Sequence, residues 1–345
     1  MHMSDALITP AVGGVMWGAT AVTAAYCAKK VREELDESKI PLMGVTGAFI
    51  FAAQMLNFTI PGTGSSGHLG GGLILAILLG PYAAFLVMAS VLGVQALFFA
   101  DGGLLALGAN IFNLGFFPAF IAFPLIYKKI VGENPGTGRI VTGGMFAAVV
   151  ALQLGALGVV VETALSGVSE LPFVTFLAMM LPIHLAIGIV EGLVTAAVVV
   201  FVYKAQPEIL VRSSNGIPFK GINLKPVIIG LTAATLLSGV AFAWFASSSP
   251  DGLEWSIARV TGVEEIEGAS AELHESLAGV QERTAFLPDY AFPAGEGTGE
   301  EAAAWPAVDA GTSTSGVVGA TLTLAVAVLI GFVLKRRAAT RPAKY

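Results

Sequence analysis

Nine apolar stretches, most of them as long as a bilayer is thick, leave this chain few ways to fold. A membrane span needs about 20 predominantly apolar residues. Such runs lie near 11–29, 41–59, 69–80, 82–100, 104–127, 140–164, 174–203, 226–247 and 316–334. The third is short, and Gly80-Pro81 breaks the run that would join it to the fourth, because Pro lacks the amide donor a helix interior needs. A short or broken span is tolerated only where protein or a cavity covers its backbone. Charged residues make up 12% of the 345, against about 25% in soluble domains. The 42 glycines suit helices that pack closely within a membrane. An all-α integral membrane protein is the expected fold class. The single cysteine, Cys27, forms no internal disulfide and no thiolate metal cage, and reads as filler in an apolar helix.

The basic residues set an orientation. Lys29, Lys30, Arg32 and Lys39 follow the first span, and Lys128, Lys129 and Arg139 lie between the fifth and sixth. Lys204, Arg212, Lys220 and Lys225 lie between the seventh and eighth, and Lys335, Arg336, Arg337, Arg341 and Lys344 form the tail. Nine spans put all of these on one side, the cytoplasmic one, with only Arg259 and Arg283 opposite. The N-terminus is then expected outside and the C-terminus in the cytoplasm, in a multi-pass protein of the cell (inner) membrane. Composition divides the chain into a membrane core over 1–205, a cytoplasmic linker over 206–225 marked by Ser213-Ser214-Asn215-Gly216 and Pro218, and a second domain over 226–345. The second domain is read as two transmembrane helices flanking an extracytoplasmic loop at about 248–315. The thirteen acidic residues from Asp251 to Asp309 read as solubilising, and His274 as a solvated surface residue.

The expected outer face gathers the residues with metal chemistry. Met1-His2-Met3 is not the basic start of a secretory signal, since no Lys or Arg precedes the first apolar segment. His2 is bulky, so the initiator Met is expected to remain. The Met1 amine, the His2 amide nitrogen and His2 Nδ1 can then grip one ion through five- and six-membered chelate rings. Three nitrogens in a plane leave one equatorial corner, and His68 in Gly64-Ser65-Ser66-Gly67-His68-Leu69-Gly70-Gly71-Gly72 is the candidate for it. Glycines allow close backbone approach there. Four nitrogens in a square suit Ni(II) or Cu(II), whereas Zn prefers a tetrahedron.

Other polar residues have plainer readings. His184 and Glu191 lie seven residues apart on one helical face, and ionisable groups in a membrane usually face a protein interior. A supporting or packing role fits them better than direct ligation. Asn57, Gln95 and Asn110 are intramembrane amides that tie helices together, and Asp101 in Asp101-Gly102-Gly103 could steady the terminus. Gly44, Ala48 and Ala52 form a small-residue stripe that serves either internal packing or the docking of another membrane subunit. No G-x-x-x-x-G-K-[ST] phosphate loop and no H-E-x-x-H pair are present.

Met1-His2-Met3-Ser4-Asp5-Ala6-Leu7, the run from His68-Leu69-Gly70-Gly71-Gly72 to Gly80-Pro81, and Phe99 to Asn110 resemble the CbiM/NikM family. His184-Leu185 through Gly188, Glu191 and Gly192 add a fourth match, and Pro250-Asp251-Gly252-Leu253-Glu254-Trp255 resembles its PDGLE-type, NikN-like second component. These are substrate-capture (S) components of energy-coupling-factor importers for cobalt and nickel. The resemblance implies a seven-helix S-component core plus two further transmembrane helices. It also implies an N-terminus plugged into that core with Met1, His2 and His68 on the metal. A transmembrane coupling (T) component and cytoplasmic ATP-binding cassette ATPases would be partners. The chain would be no enzyme and have no cofactor of its own, its substrate being Ni(II) or Co(II); the PDGLE segment leans the choice to nickel. Met3-Ser4-Asp5 departs from the more apolar and acidic run usual in the family. Two other readings exist: a self-sufficient channel or secondary carrier for the same ion, and a rhomboid-like serine protease built on Ser66 in Gly64-Ser65-Ser66-Gly67 with His184 as base.

Overall fold

A computed structural model describes residues 2–34, 37–133, 135–168, 170–266, 272–293 and 306–339. Met1, Arg341 and Lys344 lie outside the described residues. The chain is helical nearly throughout. Among the described residues, seven helices are long and apolar enough to cross a membrane, namely α1 (Pro10–Glu34), α4 (Pro81–Phe99), α5 (Leu107–Val131), α6 (Thr137–Leu165), α7 (Phe173–Ala205), α9 (Lys225–Phe245) and α12 (Ala310–Ala339). Residues 112–127 of α5 are wound in the wider π register around Pro118 and Pro124, neither of which can donate to the helix ladder.

The remaining two expected spans are shorter than their apolar runs. α2 (Ile40–Gln54) has 15 residues and α3 (Gly72–Leu79) has eight. The run expected to continue to 59 stops at Gln54, and the chain turns into an antiparallel hairpin, β1 (Phe58–Ile60) and β2 (Ser65–Gly67), with Ile60 opposite Ser65. Its turn needs Gly62 and Gly64, which sit at φ 78 and 74°, in the left-handed region that costs other residues. Eight residues of α3 rise only about 12 Å. Gly80, at its end, lies beside Ser213 and Lys39. The irregular backbone of residues 69–71, just before α3, is therefore held at membrane depth. Every residue of α3 is buried, so protein rather than lipid covers it.

The stretch read as a linker contains α8 (Glu208–Asn215), whose Ile209, Leu210 and Ser213 are buried beneath α3. Beyond α9 lie α10 (Gly252–Thr261) and α11 (Glu272–Thr284), which cover the end of the core that carries Asp101. α12 then packs along α2.

That packing decides between the two readings of the small-residue stripe. The stripe Gly44, Ala48 and Ala52 is occupied by the chain's own last helix rather than left for another subunit. A Cβ on Gly44 would come 2.6 Å from Val328, and one on Gly47 would come 3.3 Å from Thr323. Ala52 is fully buried, and Ala48 faces Ala320 and Leu324 of α12 across a small cavity. A Cβ on Gly319 would overlap the Phe51 ring, and one on Gly316 would overlap the backbone of Gly239 in α9. Small residues let these helices approach. At the basic end Lys335 forms an ion pair with Glu37, which sets the foot of α12 beside the α1–α2 connection. Replacing Gly316 with Ala drives Cβ into main chain that cannot move aside. Overpacking of this kind costs about 1–3 kcal/mol, and thermal unfolding of the purified variant in detergent measures it.

Candidate metal centre

The first residues of the chain are stitched into the core by polar contacts. Met3 N–H donates to Asn110 Oδ1 (2.8 Å), and Asn110 Nδ2 donates back to Met3 O (3.1 Å). Gly103 N–H also donates to Met3 O, at 3.0 Å. One amide side chain thus satisfies both main-chain groups of a residue whose side chain is fully buried. Ala106 N–H donates to Asp5 Oδ1 (2.9 Å), and a Cβ on Gly103 would overlap that aspartate. Met3-Ser4-Asp5 therefore supplies the packing that the family-like start requires.

Asp101 holds His2. It follows Ala100, which sits at φ 57°, a strained value for a non-glycine residue. His2 Nδ1 lies 2.7 Å from Asp101 Oδ1, and Tyr290 Oη donates to Asp101 Oδ2 at 2.5 Å. Burial would raise the Asp101 carboxyl, but the His2 charge and the hydrogen bonds from His2 and Tyr290 outweigh it and hold it well below the usual carboxylate range. Tyr290 is pushed well above its ordinary value, first by burial and then by the Asp101 charge. His2 Nε2 is buried without a hydrogen-bond partner.

His68 reaches the same place from the other side. Its ring stacks on that of His2, with centroids 4.9 Å apart and planes inclined by 28°. Its Nδ1 is 3.1 Å from Leu69 O, so Nδ1 carries the proton and the lone pair sits on Nε2. Burial lowers its pKa below the ordinary imidazole value, which favours the neutral form a metal needs. The loop behind it is fixed by a carboxylate: Glu191 accepts Gly71 N–H (2.9 Å) and Gly70 N–H (3.2 Å). Gly70 O takes a bond from Gln54 Nε2 (2.9 Å), and Gln54 Oε1 takes one from Gln95 Nε2 (2.9 Å). Gly71 sits at φ 75°, and a Cβ there would press to within 2.8 Å of Ile50.

The structure thus gathers His2, His68, Asp101 and Asn110 in one place, with Glu191 one step behind His68. His184 stands nearby: its Nδ1 contacts Met180 O (2.7 Å), and its Nε2 is buried with no hydrogen-bond partner. It does not activate Ser66, whose hydroxyl donates to Ser249 O (2.8 Å), so the protease reading has no assembled pair. His2 Nδ1, the ring atom expected on the metal, faces Asp101 in this arrangement. Among the described residues, no three His, Cys, Asp or Glu side chains form a group able to hold an ion. A donor set here needs main-chain nitrogen as well.

The C-terminal domain corrects two further expectations. His274 is not a solvated surface residue; its Nε2 is 3.0 Å from Ile8 O and it lines the cavity over the site. Asp251 and Glu254 are not merely solubilising. Asp251 caps α10 by accepting Leu253 N–H and Glu254 N–H, while Glu254 accepts Asp251 N–H. The Asp251-x-x-Glu254 spacing of this capping box was readable in the sequence, but the contact of Asp251 with His68, 183 positions away, was not. Gln54, Gln281 and Tyr290 were also missed as parts of the site. Gln281 Nε2 donates to Ala96 O and Gly102 O, clamping the turn that carries Asp101.

A family model described as the cobalt uptake substrate-specific transmembrane region matches residues 2–209, and one described as the PDGLE domain matches residues 225–336. The chain is 32% identical over 340 residues to the "Putative fused nickel transport protein NikMN" of Archaeoglobus fulgidus, covering 99% of this chain and 100% of that one. It is 32% identical over 225 residues to the cobalt transport protein CbiM of Geobacter sulfurreducens, covering 61% and 62%. A crystal structure described as a truncated transition metal transporter superposes with a TM-score of 0.53 at 30% identity, covering 59% of this chain and 99% of that one.

Glu191 offers a direct check on how the His68 loop is held. Glu191→Ala leaves two buried amides without an acceptor, at about 1–3 kcal/mol each, whereas Glu191→Gln keeps one acceptor oxygen. Thermal unfolding should rank wild type above Gln and Gln above Ala.

Proposed function

Because the chain belongs to the family of cobalt uptake substrate-specific transmembrane proteins, here joined to a PDGLE domain, we propose that it captures Ni(II) or Co(II) from outside the cell as the substrate-binding part of an ATP-driven importer. The observation that carries this reading is the stacked pair His2 and His68, brought together by two sets of hydrogen bonds. Asn110 and Asp5 fix the first residues, and Glu191 and Gln54 fix the loop. An ion bound between the two imidazoles would take the Met1 amine, the His2 amide nitrogen, His2 Nδ1 and His68 Nε2. Capture exchanges the contact between His2 Nδ1 and Asp101 for a bond to the metal. Asp101 then acts as the gatekeeper of that nitrogen, holding the ring at the site until the ion arrives.

The chain has no phosphate loop, so it does not hydrolyse ATP by that route, and partners supply the energy in this reading. The family resemblance supports a membrane coupling subunit and cytoplasmic ATPases as those partners. With the basic ends of the helices in the cytoplasm, the His2–His68 site faces outward and the foot of α12 faces inward.

The amino-terminal clamp is tested by metal analysis. Protein with its native start should purify with close to one nickel or cobalt per chain. One residue added ahead of Met1 moves the amine out of reach and should empty the site, as should His68→Ala. Equal retention in all three forms overturns this reading. In vesicles, uptake should require the ATPase partners and ATP; accumulation by this chain alone would make it a carrier instead.

A further inference from the structure

The basic end of the core holds a second cavity, which takes no part in metal capture. It measures about 280 Å³ and lies where α3 ends and α4 begins, with Lys39, Lys128 and Ser213 among its walls. Among the described residues, no Asp or Glu lines it. Both lysines belong to the basic clusters that mark the cytoplasmic side.

The first turn of α4, a helix of 19 residues, opens into this cavity, with Pro81 and Ala83 in the wall. Its N-cap is Gly80, which has no side chain to bond the leading amides. Gly80 sits at φ 76° and ψ 162°, a region essentially closed to other residues. The amides of a first turn have no partner within the helix and carry the positive end of its dipole. Such a terminus is suited to an anion.

A second observation points the same way. Ser213, at the end of α8, is 4% exposed, and its hydroxyl is buried in the cavity wall with no hydrogen-bond partner. A Cβ placed on Gly80 would stand 3.8 Å from that hydroxyl and 3.9 Å from Lys39 Nζ. The hydroxyl, the ammonium and the start of α4 therefore converge on one point. Lys128 Nζ reaches the cavity from α5 and donates to Ser214 O (2.7 Å). That bond uses one of its three N–H donors. The converging side-chain groups can all donate, and what they lack is an acceptor with several oxygens.

We infer that this cavity binds a phosphate group, held by Lys39, Lys128, the Ser213 hydroxyl and the first amides of α4. A phosphate carries enough strong acceptor oxygens to serve donors from several elements at once. It reaches this face either as the headgroup of an anionic lipid, which basic pockets between membrane helices suit, or as free phosphate. The bound group would tie together the α1–α2 connection, α4, α5 and α8. The inference stands independently of the metal centre.

The test follows thermal unfolding of the full chain in uncharged detergent at fixed ionic strength, with phosphatidylglycerol, diacylglycerol or inorganic phosphate added. A ligand that binds only the folded protein raises its Tm with concentration. Phosphatidylglycerol, inorganic phosphate or both should do so, and diacylglycerol, which lacks the phosphate, should not. A response to the lipid without one to inorganic phosphate names the membrane as the source, and the reverse names free phosphate. Lys128→Gln and Ser213→Ala should each weaken the Kd by roughly tenfold or more. Without ligand, Ser213→Ala should unfold no earlier than wild type, because its hydroxyl has no bond to lose, so it decides the matter even if Lys128→Gln fails to fold. No response to either phosphate, an equal response to diacylglycerol, or equal responses from wild type and Ser213→Ala overturns the inference.

Discussion

Backbone that leaves the helix inside a membrane must find a partner for its amides and carbonyls, since lipid offers none. Residues 69–71 are in that position, because α3 is too short to lift them to the surface. Glu191 and Gln54 supply the partners. The rest of the site depends on this exchange. A charged residue in a transmembrane helix and an irregular loop are each unfavourable alone, and each satisfies the other. The loop is thereby held without a regular element, and His68 is presented at its edge with Nε2 turned toward the site.

The amino-terminal side solves the same problem with neutral groups. Asn110 pairs with Met3 much as a neighbouring strand would, and Asp5 takes the amide of Ala106. The two sides meet where the His2 and His68 rings stack and again through Gln95, which bonds Gln54 and accepts the Asp101 amide. In the proposed reading the two imidazoles would form a preorganised site, their side-chain freedom being already lost before an ion arrives. The strained backbone at Ala100, which delivers Asp101 to His2, fits the same pattern, since strain persists where surrounding bonds over-determine it.

Long apolar runs made the seven membrane-crossing helices legible in the sequence, because hydropathy alone decides whether a segment can sit in lipid. The ends of α2 and α3 were not legible, because both are covered by protein and their limits follow from neighbours rather than from lipid. His184 and Glu191 could be read as inward-facing from cost alone, yet the two amides that Glu191 accepts lie about 120 positions away. The stripe Gly44, Ala48 and Ala52 announced a close helix contact but not whose helix would fill it. His2 and His68 were readable as chemistry; the contact of Asp251 with His68 was not, because tertiary packing sets it. His274 was misread for a related reason, as nothing local shows that a polar residue in an acidic segment will meet Ile8.

The two domains are joined at both ends of one short stretch of chain. α12 packs on α2, which leads into the hairpin, and the segment before α10 bonds to the hairpin itself at Ser66 and Thr63. Displacing the C-terminal domain therefore disturbs the loop that carries His68 from two sides. As a separate protein, that domain would have to find the core by diffusion within the membrane. Tethered through residues 206–225, it docks as an intramolecular partner at high effective concentration. The polar contacts at Ser66 and Thr63 and the buried Leu253 and Ile257 then hold α10 against the core.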